Sequence, residues 1–329
     1  MALGEFELID RFFRTADGPA QLRRHGVALG IGDDAALLEQ RADQQLVAAL
    51  DTLVEGRHFP RGCLPRSIGH RALAVNLSDL AAMGATPAWY LLALTLPTPD
   101  ESFLGEFAGG MVELAHAHDA VLVGGDTTSG PLSVSVQALG FVPKGEALLR
   151  SGAQPGDLMF VSGWPGEAST GLQLLMENPR AGAQEDEHCR RLRQRFLFPD
   201  PRIDLGQALR GLASACIDVS DGLAGDAQKL ASASGCGVSI EAGQLPLSAA
   251  LGATLGRERA LRAALTGGDD YELCFTVPAS RLAEIPERLI NVKCPVTCIG
   301  VIEPGAGIRV RDEGRPVGFD LGAYEHFIT

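Results

Sequence analysis

Six apolar runs in this chain each end in aspartate: VALGIGDD (Asp33, Asp34), LVAALD (Asp51), ALAVNLSD (Asp79), AVLVGGD (Asp126), ASACIDVSD (Asp218, Asp221) and AALTGGDD (Asp269, Asp270). A run of this kind is a buried strand or helix, so its polar end emerges at the rim of a core, where α/β folds bind ligands. Taken singly, each aspartate reads as a helix cap or a turn former. Six together imply more. Gathered carboxylates repel one another unless cations lie between them, and an oxygen-only donor set suits hard divalent ions such as Mg²⁺. The repetition therefore predicts a multi-Mg²⁺ site, whose natural partner is a polyphosphate.

A chain of 329 residues is long enough for two domains, each burying its own core. With 46% hydrophobic and 21% charged residues, the composition is that of a soluble globular enzyme. The formal charge of −13 argues against nonspecific nucleic-acid binding, which needs clustered Lys and Arg. Only three lysines occur (Lys144, Lys229, Lys293), none in a glycine-rich loop, so no P-loop is present and any ATP is bound by another route. The seven cysteines are scattered, and most sit in apolar segments, as in a reduced cytoplasmic protein. Cys294 and Cys298 have no second pair and no nearby histidine, which speaks against zinc. The acidic start MALGEFELID is unlike a secretion signal. The uncharged stretch 80–99 is interrupted by Gly84, Thr86 and Pro87, so a helix ending near Met83 and a strand from Trp89 to Leu96 fit better than a membrane span.

The periodicity predicts a helix over Glu5–Arg14, strands near Leu46–Leu50 and Trp89–Leu96, and helices near Ser67–Met83 and Glu101–His118. Strands follow at Ala120–Val123 and Ser133–Val142. Residues 142–156, rich in Gly and Pro, read as the crossover between domains 1–148 and 149–329. In the second half, strands are expected near Asp157–Ser162, Val238–Glu241, Glu272–Val277 and Val296–Val301. Helices near Arg202–Ala213 and Gly225–Ser234 flank Asp218 and Asp221, and Asn178–His188 reads as an exposed loop. The fold class is α/β (α+β).

In GIGDDAALL, Gly30 and Gly32 let the backbone approach a ligand, beside acids able to hold metal. VGGDTTSG offers hydroxyls beside a flexible glycine pair, and IDVSDG places Asp218, Ser220 and Asp221 at one strand end. Plainer readings stand beside these. His58 is a residue that can cap a turn before Pro60, Arg150 one that can pair with a surface acid, and Tyr324 one that can simply pack.

In chain order, GEFELIDRFF, GIGDDAALL, DTLVEGRHF, ALAVNLSDLAAMGATPAW, VGGDTTSGPL, LLRSGAQPGD, SACIDVSDGLAGD, GGDDYEL and GAYEHF resemble the thiamine-monophosphate kinases, from Gly4 to Phe327. NLSDLAAMGA and GGDxTxG are shared with a wider superfamily, which includes aminoimidazole-ribonucleotide synthetase and selenophosphate synthetase. DTLVEGRHF and GAYEHF point to the thiamine branch. The resemblance implies two mixed α/β domains, N-terminal sheets joined across a homodimer, and ATP between the domains with several Mg²⁺ ions. It implies metal ligands at Asp33, Asp34, Asp51, Asp79, Asp126, Asp218 and Asp221, of which Asp126 and Asp221 are central to catalysis. Gly125, Asp126, Arg150 and Ser220 would contact the nucleotide; His58, Asp269 and Tyr324 would face thiamine phosphate. Two departures stand out: Ala49 and Leu50 precede Asp51 where the family often has Ser-Thr, and Asp269 replaces its usual glutamate.

The implied reaction is ATP plus thiamine monophosphate to thiamine diphosphate plus ADP, in the cytoplasm. It suits the residues, because a phosphate acceptor already ionised at neutral pH needs no strong base. Another ATP-dependent synthetase of the superfamily and a non-catalytic metal-binding module are the alternatives.

Overall fold

The structure, a computed structural model, describes residues 5–14, 16–179, 185–312, 314–317 and 321. It divides into two compact units, Met1–Leu80 with Ala85–Gly145, and Ala81–Gly84 with Glu146–Thr329.

In the first unit, helix α1 (Glu5–Ile9) runs into a π-helical turn at Asp10–Arg14, followed by α2 (Pro19–Arg24) and the short pair β1 (Val27–Leu29) and β2 (Leu37–Leu38). Then come β3 (Gln44–Val54), α3 (Pro65–Ala82), β4 (Thr86–Leu96), α4 (Glu101–Ala117), β5 (Val121–Ser129) and β6 (Ser133–Pro143). The four long strands form one sheet in the order β3-β6-β4-β5, antiparallel except for the parallel β4–β5 pair. Ser133–Gln137 alternates half-buried Ser with buried Val, as its polar/apolar pattern requires. Helix α3 is buried nearly all round, with Leu73, Leu77 and Leu80 wholly inaccessible or nearly so and Arg71, Asn76 and Ser78 buried beside them. It meets α4 backbone to backbone, because a Cβ at Gly69 would lie 2.0 Å from the Phe107 carbonyl and one at Gly110 2.0 Å from that of Arg66. Half-buried Asp79 is a polar break in this buried helix.

Two of the expected strand ends move. Asp51 lies inside the 11-residue β3, and Asp126 inside the nine-residue β5, which runs on through Gly124–Ser129. The glycine pair does not stop β5. Gly125 sits against β4 so closely that a Cβ there would fall 1.9 Å from the Leu92 carbonyl, so only glycine lets the ladder continue.

The second unit is built on a seven-stranded sheet. It runs β7 (Leu158–Ser162), α5 (Glu167–Glu177), α6 (Glu187–Leu197), α7 (Ile203–Ala208), β8 (Ala215–Val219), α8 (Leu223–Ala233), β9 (Gly237–Glu241), α9 (Ala249–Leu255), α10 (Arg257–Thr266), β10 (Glu272–Val277), α11 (Ile285–Arg288), β11 (Val296–Glu303), β12 (Gly307–Asp312) and β13 (Arg315–Pro316). The strand order is β13-β12-β9-β11-β7-β10-β8, antiparallel except for β12–β9. Leu223, Ala227 and Leu230 of α8 pack with Ile217 and Val219 of β8 and Cys274 of β10. The loop expected at Asn178–His188 gives way to α6 from Glu187, capped by the Asp186 carboxylate on the N–H groups of His188 and Cys189. The helix expected over Arg202–Ala213 is shorter, Ile203–Ala208. Among the described residues, no helix is long and apolar enough to cross a membrane.

Candidate active site

In the first unit, DTLV and NLSD are brought together by one buried asparagine. The backbone N–H of Asp51 donates to Asn76 Oδ1 at 3.0 Å, and Asn76 Nδ2 donates to the Ala72 carbonyl at 3.1 Å. Asp79 lies three residues along the same helix face, and its carboxyl group hydrogen-bonds that of Asp51, with His58 close enough to act on it electrostatically. Burial pushes the Asp51 carboxyl above its ordinary value, against the opposing influence of Asp79 and His58. His58 Nδ1 accepts the Val54 N–H at 3.0 Å, so the ring closes the turn after β3 while also standing beside Asp51. With Nδ1 accepting, the neutral ring carries its proton on Nε2.

Asp33, Asp34, Gly125 and Asp126 line a cavity of about 950 Å³ in the same unit, together with Arg14 and Thr127. Arg14 straps the glycine loop, donating from Nε to the Ile31 carbonyl at 3.2 Å and covering Gly32, where a Cβ would lie 2.1 Å from its Nη2. Leu50, where the family often has a hydroxyl, lines this cavity and is 64% exposed. Strand alternation turns the adjacent Asp51 toward the opposite face of β3. The five candidate ligands of this unit thus fall into an Asp51–Asp79 pair and a group, Asp33, Asp34 and Asp126, on the cavity wall.

In the second unit, Asp218 is buried in β8, and Ser220 and Asp221 follow in the turn before α8. The turn is held from below by a residue the sequence reading missed. One oxygen of buried Asp226 accepts the N–H of both Ser220 and Asp221 at 3.0 Å, and its other oxygen takes the Lys229 ammonium at 2.8 Å. An acid in the first turn of a helix reaching back to the preceding N–H groups is the logic of a capping box, and DGLAGD carries that signal. Lys229 also reaches Asp221 Oδ2 at 2.5 Å. Burial pushes Asp226 up, with Lys229 opposing.

Asp269 joins this group through the backbone, its N–H donating to the Ser220 carbonyl at 2.8 Å. The Arg150 carbonyl accepts from the Ser234 hydroxyl just past the C-terminal end of α8. Tyr324 lies outside the described residues.

The donor set is all oxygen, which fits a hard divalent ion such as Mg²⁺ in kind. Among the described residues, no three or more His, Cys, Asp or Glu groups are arranged to hold a metal ion. The fit therefore rests on donor chemistry and on the adjacency of Asp51 and Asp79.

Comparison with known proteins places both halves. Residues 32–142 match the AIR synthase related protein, N-terminal domain, and residues 154–313 the C-terminal domain of the same name. The thiamine-monophosphate kinase of Escherichia coli K12 is 47% identical over 330 residues, covering all of both chains. A crystal structure of thiamine-monophosphate kinase from Stenotrophomonas maltophilia superposes with a TM-score of 0.86 at 46% identity, covering 96% of this chain and 98% of that one. A structure described as AaThiL complexed with AMPPCP and TMP gives 0.76 at 33% identity, with 99% of each chain covered. The chain therefore belongs to the thiamine-monophosphate kinase family.

Proposed function

We propose that this chain transfers the γ-phosphoryl group of ATP to the phosphate of thiamine monophosphate, giving thiamine diphosphate and ADP. The observation that carries this reading is the end-to-end likeness to kinases of that name, at 47% identity for the Escherichia coli protein. The AaThiL complex with AMPPCP and TMP supports the substrate pair.

The site chemistry agrees. The second pKa of a phosphate monoester is about 6, so the acceptor oxygen is already largely anionic at neutral pH and no general base is required. The obstacle is electrostatic: two unit charges ~4 Å apart at an effective dielectric constant of 20 repel by about 4 kcal/mol. Mg²⁺, when bound, supplies the charge that bridges the polyanions and stabilises the leaving oxygen in an in-line transfer. The residues assigned to hold it are Asp33, Asp34, Asp51, Asp79, Asp126, Asp218 and Asp221, and Asp126 and Asp221 are assigned the catalytic role. Gly125 gives the nucleotide a bare stretch of backbone, and the Ser220 hydroxyl and Arg150 are assigned to its phosphates. Asp269 offers a carboxylate to the cationic thiazolium, His58 a ring N–H to the acceptor phosphate, and Tyr324 a ring to the thiamine moiety.

We read the active species as a cytoplasmic homodimer. β3 is an edge strand, and on it Leu46 and Leu50 are 54% and 64% exposed, an apolar face that supports pairing with a second copy. The decisive experiment is ADP formation by the purified chain with Mg²⁺ and ATP, with and without thiamine monophosphate. Turnover that appears only with thiamine monophosphate, with thiamine diphosphate as product, is expected. ADP release indifferent to thiamine monophosphate overturns the reading.

A further inference from the structure

The loop between α10 and β10 holds two non-glycine residues in the left-handed region, Asp269 at φ 69° and Tyr271 at φ 52°. Such conformations are uncommon for Asp and strained for a bulky Tyr, and they persist where the surroundings over-determine them. Here they do. The Asp269 N–H donates to the Ser220 carbonyl and the Tyr271 N–H to the Val219 carbonyl, each at 2.8 Å. Between them, the buried Asp270 carboxylate accepts the Gly166 and Ala168 N–H groups at 2.6 and 3.1 Å, at the start of α5. A Cβ on Gly268 would lie 2.6 Å from the Ser220 carbonyl, so the loop also lies flat against that turn. The outcome of this locking is specific: the Tyr271 hydroxyl stands 3.2 Å from Asp269 Oδ1 and donates to it.

We propose that Tyr271 is a positioning residue for the acceptor substrate, its hydroxyl fixing the Asp269 carboxylate in the orientation that meets the thiazolium cation. This rests on the reading of Asp269 as an acceptor contact. Tyr271 is only 9% exposed, so its ring packs in the unit, and that structural part is separable from its hydroxyl. A free aspartate at a loop tip samples three χ1 wells, and only one presents the carboxylate as the bonded rotamer does. The hydrogen bond, to an ionised acceptor, selects that rotamer before substrate arrives. The same loop is tied by backbone bonds to Val219 and Ser220, so the acceptor contact and the Ser220–Asp221 turn form one rigid piece.

The test is Tyr271→Phe, which keeps the ring and removes only the hydroxyl, measured alone and in an Asp269→Ala background. Expected is a rise of about tenfold in KM for thiamine monophosphate, with kcat and KM for ATP within about twofold of the parent. In the Asp269→Ala background, which has already lost the carboxylate, the same substitution should change KM by less than about twofold. A melting temperature close to the parent's shows that packing is intact. An unchanged KM in Tyr271→Phe, an equal rise in both backgrounds, or a matching rise for ATP overturns the proposal while leaving the kinase reading standing. A parent chain with no thiamine-monophosphate-dependent turnover defeats the kinase reading itself, and this inference with it.

Discussion

The ammonium of Lys229 stands 2.5 Å from Oδ2 of Asp221, so a carboxylate assigned to metal already carries a cationic partner of its own. Lys229 is one of only three lysines, and Asp226 fixes its position from the other side at 2.8 Å. With 42% of the Lys229 side chain exposed, the pair is solvent-screened and exchangeable, unlike a buried ion pair. A divalent ion binding at Asp221 has to compete with this ammonium. Lys229→Met should therefore lower the free Mg²⁺ needed for half-maximal activity, by about two- to fivefold. Activity titrated against Mg²⁺ reads this directly. A requirement that rises instead would make Lys229 a phosphate contact in its own right.

Asp126→Asn and Asp79→Asn should each reduce turnover by about a hundredfold or more while leaving the fold intact. An amide is a poorer ligand for a hard cation, and the metal's share of transition-state stabilisation is several kcal/mol. In addition, Asp79→Asn replaces one member of the hydrogen-bonded Asp51–Asp79 pair with an amide whose NH₂ still donates to the Asp51 carboxylate, so the contact that helps hold β3 and α3 is kept. If these residues only cap turns, the pattern reverses, with near-normal turnover and up to ~2 kcal/mol of stability lost. Thermal melts run beside rate assays separate the two.

The acceptor should be a phosphate and not a hydroxyl. Unphosphorylated thiamine lacks the anion that the proposed Mg²⁺ would hold, and its alcohol would need a base; His58 Nδ1 is already engaged with the Val54 N–H, which leaves its ring to donate through Nε2. Incubation with thiamine and ATP should yield no thiamine monophosphate at a rate comparable with the main reaction.

Glu272 supports the site from behind. It is wholly buried at the start of β10, where Arg202 chelates it through Nε and Nη2 at 2.6 Å, Arg195 donates at 2.7 Å and the Ser162 hydroxyl at 2.5 Å. Burial alone would push its carboxyl up, but the two guanidinium groups and the hydroxyl together outweigh it and hold it below 4.5. A depressed carboxyl stabilises the fold above its unfolded pKa and loses that contribution as pH falls through the folded value. Glu272→Gln strands two guanidinium groups and should cost about 3–5 kcal/mol at pH 7. The gap between parent and variant should close as pH falls below 4.5. Urea unfolding at pH 7 and in that acidic window checks both the size and the sign.

Strand β10 is the clearest success of periodicity, its residues Glu272–Val277 being those the apolar run marks. In the second unit the sequence marks Asp218, Ser220 and Asp221 as one strand end, and that is where they lie; that Asp269 packs against the same turn through its backbone N–H was not legible. What stayed hidden depends on contacts between distant segments. β5 looked finished at Val123 because glycine pairs usually end strands; that it continues follows from the fit of Gly125 against Leu92. The first residues of α6 read as a loop because they are polar, yet Arg191 and Arg195 of that helix pair with Glu167 on α5, and Arg195 also with Glu272 on β10. A charged residue buried by its partner leaves no hydropathy signature. Asn76, Asp226, Lys229 and Tyr271 were missed for the same reason: each acts by holding a neighbour.

Asp269 sits next to Ser220 in space, yet its carboxylate should serve the acceptor and not ATP. The bond between them runs through the Asp269 backbone N–H, and the loop is further held by the Tyr271 N–H and the Asp270 carboxylate. None of these contacts uses the Asp269 side chain, so changing it leaves the Ser220 turn in place. Asp269→Asn is the informative substitution, because asparagine tolerates φ 69° as aspartate does and still offers an Oδ1 to the Tyr271 hydroxyl. It removes charge and little else. KM for thiamine monophosphate should rise by about five- to tenfold through loss of Coulomb attraction to the thiazolium, with ATP affinity within about twofold. Calorimetric titration of an ATP analogue, beside steady-state kinetics in thiamine monophosphate, separates the two substrates. Weakened nucleotide binding with an unchanged KM for thiamine monophosphate would place the Asp269 carboxylate with the acids of the Asp218–Asp221 turn that are proposed to hold metal.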